Sequence, residues 1–394
     1  MPRATTRPLT ALLTGLLGLL GLLLAVGTTV VGPAAAAPAP DWGPEQEVPP
    51  AGRVHDLPRS AVFPDGTLVT VWEDDDTGSA DDLTRIFRST RPPGGAWSEP
   101  LAFPVVDVWN LQAIAPRPDG SLLVAYGWEP SFPDIQHLVR VWRADGTVGP
   151  VGLSNSSDDW TLSGDPEGDV VAERLGSYDE EQGFDHLLRY HDGTRWVRMP
   201  KVGADPRDTF VAGPGESVWM AGFDPSRGLL RVRRWTPGMS SWKVEWSRPY
   251  QGQQRYKSLV PGLDLAVGGR GHATLAFQEL ERRDTGPVLR AVTRGPDGWS
   301  RPVVLQRLPA GERLLLTAPV VAAYGDTAEV AWTASAPQQR GRREVSIASV
   351  TTSGTIMRRL AVERSFSGFR DLSLGVDLRA GGGLRHQGEE EQEV

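Results

Sequence analysis

The chain has 394 residues, including 45 glycines and 33 prolines, with 39% hydrophobic and 23% charged residues, a formal charge of −8 and no cysteine. Such a length exceeds a single small core, so it implies either two domains or a repeat architecture that grows by adding units. The missing cysteines exclude disulfides, iron–sulfur centres, thiolate zinc and a cysteine nucleophile, and the acidic balance argues against nucleic acid as a partner.

Residues 1–37 read as a secretory leader. Arg3 and Arg7 precede an apolar run from Leu9 to Val31, and Ala34 to Ala37 before Pro38 place small residues at the cleavage positions. No second apolar stretch approaches spanning length, so the mature chain is expected to be secreted, extracellular and without membrane contact.

A repeat of roughly fifty residues follows. Tryptophan followed closely by proline recurs at Trp42–Pro44, Trp97–Pro100, Trp196–Pro200, Trp246–Pro249 and Trp299–Pro302, and Val148–Pro150 and Met357–Leu360 hold the same register without tryptophan. Before most copies stands a turn and then an alternating run, as in Pro64-Asp65-Gly66 before Thr67 to Trp72 and Pro118-Asp119-Gly120 before Ser121 to Trp128. A third run follows in each unit, for example Arg85 to Arg91 and Leu229 to Trp235, which makes four strands.

Four antiparallel strands at this period predict an all-β fold, a β-propeller, because each small sheet has two apolar faces that only its neighbours can cover. Inner strands are expected to open near Leu57, Leu111, Leu162, Phe210, Leu259, Leu314 and Leu372. The blades would be four-stranded and seven-fold with an incomplete last blade; a ring of six is the alternative. Residues 38–52 are expected to supply an outer strand that closes the ring, residues 53–378 to form the propeller, and residues 379–394, with Glu389-Glu390-Glu391, a disordered acidic tail.

Ser89 to Trp97 and Thr293 to Trp299 resemble degraded forms of the Asp-box turn, Ser-x-Asp-x-Gly-x-Thr-Trp, of the sialidase-like propellers. Arg91 stands where the aspartate of the box belongs. The resemblance implies a secreted bacterial propeller, and since the box is a structural turn it implies a fold and no activity. Sialidases use an arginine triad, a tyrosine–glutamate pair and an acid/base aspartate. Arg85-Ile86-Phe87-Arg88 lacks the proline of the family's early arginine motif, and Tyr256 falls in mid-chain, so no catalytic residue carries over.

Loops that lead into the inner strands share the face where propellers bind ligands. On this chain they carry Asp56, Trp109, Asn110, Trp160, Arg207, Tyr256, Arg313 and Arg370, the candidate ligand-binding residues. The arginines suit bidentate recognition of carboxylate or sulfate, and Trp109 and Trp160 could stack on sugar rings. Trp72, Trp97, Trp196, Trp299 and Trp332 recur with the repeat and read as blade packing. No two histidines have metal-ligand spacing, so no histidine metal site is expected. The acidic stretches Glu73 to Asp82 and Asp179 to Asp185 offer oxygen ligands of the kind calcium takes, although Gly78 and Arg85 break the EF-hand pattern. No other cofactor is expected. The chain therefore reads as a monomeric, non-enzymatic propeller that binds an extracellular polysaccharide or protein, with a sialidase-like glycoside hydrolase as the alternative.

Overall fold

The computed structural model describes residues 53–54, 58–75, 84–105, 108–131, 134–156, 159–165, 167–179, 183–204, 208–224, 227–250, 262–280, 287–307, 319–335, 342–351, 353, 356–365, 373–376 and 384–387. The chain divides into two compact units, Met1–Asp41 and Trp42–Val394, and every described residue belongs to the second. The expected leader (1–37) and closing strand (38–52) lie outside the described residues.

The described residues form antiparallel sheets in sequence order, each a meander. The second sheet shows the plan: Val108–Pro116, Leu122–Ser131, Asp134–Trp142 and Val148–Asn155 pair in succession. The fourth (Thr209–Gly213, Ser217–Asp224, Leu229–Trp235, Lys243–Pro249) and the sixth (Val320–Tyr324, Thr327–Ser335, Arg342–Thr351, Ile356–Ser365) repeat it. The first, third and fifth differ only in having one strand broken in two: Arg53–Val54 and Arg59–Val62 both pair with Leu68–Asp75, for example. The first strands of successive sheets touch in order. That of a seventh sheet, Ser373–Val376, touches both Val320–Tyr324 and Arg59–Val62, which closes the ring. Among the described residues the chain is an all-β propeller of six sheets with four strand positions each and a two-stranded seventh.

Two boundaries differ from the sequence expectation. Leu384–Gln387, assigned above to a disordered tail, pairs antiparallel with Ser373–Val376. Among the described residues it has this one partner, and backbone pairing at such an edge makes its charged residues no obstacle. The inner strands of the fifth and sixth sheets begin at Leu263 and Val320, later than Leu259 and Leu314.

Local chemistry explains the turns. The Asp65 carboxylate accepts the Thr67 amide at 2.8 Å and its hydroxyl at 3.0 Å, while Gly66 takes a left-handed φ of 85°. The same aspartate-to-hydroxyl turn recurs at Asp119 with Ser121, Asp145 with Thr147 and Asp192 with Thr194. At Asp145 and Asp192 the threonine hydroxyl bond comes first in holding the carboxyl below its usual range.

The cores lie between sheets. Val69, Val71 and Ile86 of the first sheet pack with Leu111, Val124, Tyr126 and Trp142 of the second, and Phe103 crosses between them. The Phe103 ring meets Tyr126 at 5.3 Å and Trp142 at 5.0 Å, both edge to face, an arrangement worth about 0.5–1.5 kcal/mol per pair beyond area burial. Equivalent layers join the second sheet to the third around Ala115 and Ala172, and the third to the fourth around Tyr190 and Trp235. Others join the fourth to the fifth around Trp219 and Leu275, and the fifth to the sixth around Leu289 and Trp332. Trp72 and Trp332 are buried as the repeat implies. Trp196 and Trp299 are half-buried and pack against the layers beside them, and Trp97 is likewise half-buried.

Candidate functional site

Each inner strand starts at the same end of the ring, so polar residues at or just before those starts are brought together there. Among the described ones are Asn110, Asp159, Asp208 and Asp264.

At the junction of the second and third sheets Asn110 adopts φ 56°, a left-handed conformation that asparagine tolerates better than most residues. The strand Val108–Pro116 shifts register here, and Asn110 Nδ2 donates to Asp159 Oδ1 at 3.1 Å. Beneath that pair, the Trp160 amide donates to Gln112 Oε1 at 2.9 Å, which fixes the orientation of the Gln112 amide. Gln112 Nε2 then donates to His137 Nδ1 at 2.6 Å. Asp159 Oδ1 stands 3.1 Å from the same ring nitrogen.

The third, fourth and fifth inner strands border a cavity of about 330 Å³. It is lined by the carboxylates of Glu173, Asp208 and Asp264, by Thr161, Ser163 and Thr209, and by Phe210 among the apolar groups. Asp264 ties the ring together: Oδ1 accepts the Leu265 amide at 2.9 Å and Oδ2 the Val321 amide at 2.7 Å, and Thr209 bonds the same carboxylate. One side chain thus links the fourth, fifth and sixth inner strands. Burial pushes its carboxyl up to about 7 against the opposing pull of those hydrogen bonds. Asp208 is 7% exposed and accepts the Phe223 amide at 3.1 Å. The Thr161 hydroxyl donates to Glu173 Oε2 at 3.2 Å across the Trp160–Gly164 and Val170–Asp179 pair.

Several expected site residues fall elsewhere. Trp160, expected as an exposed stacking platform, is 2% exposed, and its indole nitrogen donates to the His137 carbonyl at 3.2 Å. The layer between the second and third sheets claims its aromatic surface. Trp109 lies on the strand Val108–Pro116 beside Asn110. Asp56, Arg207, Tyr256, Arg313 and Arg370 lie outside the described residues. Glu73, which heads an acidic stretch expected to offer oxygen ligands, is a buried strand residue that accepts the Leu111 amide and so joins the first sheet to the second. Asp74, Asp75, Asp179 and Asp185 also sit on strands. Among the described residues, the carboxylates with metal-ligand spacing are Asp165, Glu167 and Asp169, at the other end of the third sheet's first hairpin.

Fold and site together define a β-propeller with a polar, carboxylate-lined cleft on its inner strands. No protein-family model matches the sequence, and no curated protein matches it. Among solved structures the chain is similar to the six-bladed propeller lectin of Aleuria aurantia, at 13% identity and a TM-score of 0.43, covering 78% of this chain and 94% of the lectin. It is also similar to a Hadza microbial sialidase, at 13% identity and a TM-score of 0.40, covering 71% of this chain. TolB from Acinetobacter baumannii matches at 14% identity and a TM-score of 0.42, again over 71% of this chain. The chain spans 63% of that sialidase's length and 60% of that TolB's.

Proposed function

We propose that this protein is a secreted, non-enzymatic propeller whose inner cleft binds an extracellular neutral glycan. The observation that carries this reading is the lining of the 330 Å³ cavity, where Glu173, Asp208 and Asp264 stand with Thr161, Ser163 and Thr209. Carboxylates accept from sugar hydroxyls, and threonine and serine hydroxyls both give and accept, so the set suits a polyol. Phe210 adds an apolar patch to the lining. An acidic sugar would meet like charge there. Asp264 has both oxygens engaged by main-chain amides, which suits a clamp and leaves it poorly placed to protonate a leaving group. The leader-type sequence of residues 1–37 supports an extracellular setting.

A glycan array that spans neutral and acidic sugars, including the fucosides that the Aleuria aurantia lectin recognises, tests the proposal. Neutral glycans should be retained, and Glu173→Ala should weaken the best of them at least about tenfold, the cost of one lost hydrogen bond to a charged group. Preference for sulfated or carboxylated glycans would refute the reading, as would turnover of a fluorogenic glycoside.

A further inference from the structure

The turn that joins Trp160–Gly164 to Val170–Asp179 concentrates negative charge. Oxygens of Asp165, Glu167 and Asp169 all lie within 4.8 Å of one another, while Asp165 and Asp169 are only 4% and 8% exposed. Asp165 Oδ1 is fully used: it accepts the amides of Glu167, Gly168 and Asp169 at 2.9, 2.8 and 3.0 Å. Its other oxygen, Oδ2, is buried and has no hydrogen-bond partner. A bare buried carboxylate oxygen costs free energy unless a cation or a proton meets it. Beside it the wholly buried Tyr190 hydroxyl interacts with the Asp169 carboxyl. Charged neighbours that act on Asp169 include Glu216, Glu167, Asp192 and Asp165, all of like sign. Glu167 Oε2 also accepts the Gly215 amide of the fourth sheet at 3.0 Å.

We propose that Asp165, Glu167 and Asp169 form a calcium site that fastens the third sheet's inner turn to the fourth sheet. Three clustered carboxylates, one of them with an oxygen held by amides and the other bare, are hard ligands at alternate positions of a tight turn. Calcium completes such a set with water and backbone carbonyls, whereas magnesium demands a stricter octahedron and keeps its water.

The test uses the full chain, freed of metal by chelator, with terbium(III) as a luminescent stand-in for calcium. Tyr190 should sensitise terbium emission, calcium should compete it away with half-effect between about 10 µM and 1 mM, and calcium should raise the Tm by at least about 2 °C. Asp165→Asn keeps an oxygen for the three amides but loses the charge. Glu167→Gln changes an exposed side chain that the fold tolerates. Each should weaken calcium at least tenfold, while Asp145→Asn, in an exposed turn of the second sheet, should leave binding as in the parent. The proposal is overturned if both site variants bind as the parent does, or if calcium moves neither emission nor Tm, in which case a proton neutralises the cluster.

Discussion

The Asp208 carboxylate rests against the bare Cα of Gly222: a Cβ at residue 222 would stand 2.6 Å from Oδ2 and closer still to Oδ1. The same carboxylate accepts the amide of Phe223, the next residue along, at 3.1 Å. The glycine is therefore what lets a buried carboxylate at the start of the fourth inner strand fold back onto the second strand.

Gly222→Ala should expel that carboxylate from its place, leaving the Phe223 amide unpaired. Overpacking and a lost bond to a charged group together predict a loss of about 2–4 kcal/mol by urea unfolding. In an Asp208→Ala background the same change should cost under about 1 kcal/mol, because the clash is gone. Simple additivity in this cycle would contradict the contact.

Arg88 makes the corresponding tie between the first and second sheets. Its guanidinium lies 4.5 Å from the Trp142 ring centroid and donates through Nη2 to the Arg143 and Ala144 carbonyls at 2.8 and 3.0 Å. It is 5% exposed. Lysine keeps the charge but not the planar fork, so Arg88→Lys should destabilise by about 1–2 kcal/mol and Arg88→Ala by about 3 kcal/mol. An Arg88→Lys variant as stable as the parent would show that charge alone matters.

Asp264 makes stability depend on pH. Its folded pKa lies near 7, above the ordinary value of 3.8. Below 3.8 the group is protonated in both states and contributes no slope. As pH rises from there towards 7, the unfolded chain releases a proton that the folded chain retains, so stability falls, by no more than about 1.4 kcal/mol per pH unit for one group. Above 7 the loss is complete. Denaturant unfolding between pH 6 and 7 should therefore show a flatter dependence in Asp264→Asn than in the parent. Identical slopes would mean that this carboxyl ionises normally.

The architecture was legible because its signals are local. Asp65-Gly66 and Asp119-Gly120 mark turns by side-chain bonds to the residue two places on, and strand alternation marks the faces that sheets cover. The site was less legible. Trp160 reads as a loop residue, but its exposure depends on how the second and third sheets meet, which no local pattern records. Glu173 and Asp264 carry no loop signal, because both sit on strands. Asp264 between Leu263 and Leu265 was the available signal: a carboxylate that no repeat period demands. At Asp145 and Asp192 the glycine that follows marks the turn, and the carboxylate bonds to Thr147 and Thr194 that fix it are visible only in the structure.

The last prediction concerns closure of the ring. Ser373–Val376 touches the inner strands of both the sixth and the first sheet, while its partner Leu384–Gln387 lies outside it on the same two-stranded sheet. Leu374 pairs with His386 in that ladder. Proline at residue 374 removes an amide and forces the inner strand out of register, so the neighbouring sheets should lose their common contact. Proline at residue 386 disturbs only the edge, where one face of the strand has no ladder to lose. Leu374→Pro should therefore lower the Tm by several degrees and increase binding of a hydrophobic dye, as apolar faces of the first and sixth sheets open to water. His386→Pro should shift the Tm by less than half as much. If the edge variant is as damaging as the inner one, or if Leu374→Pro is silent in both measurements, then the seventh sheet does not close the ring.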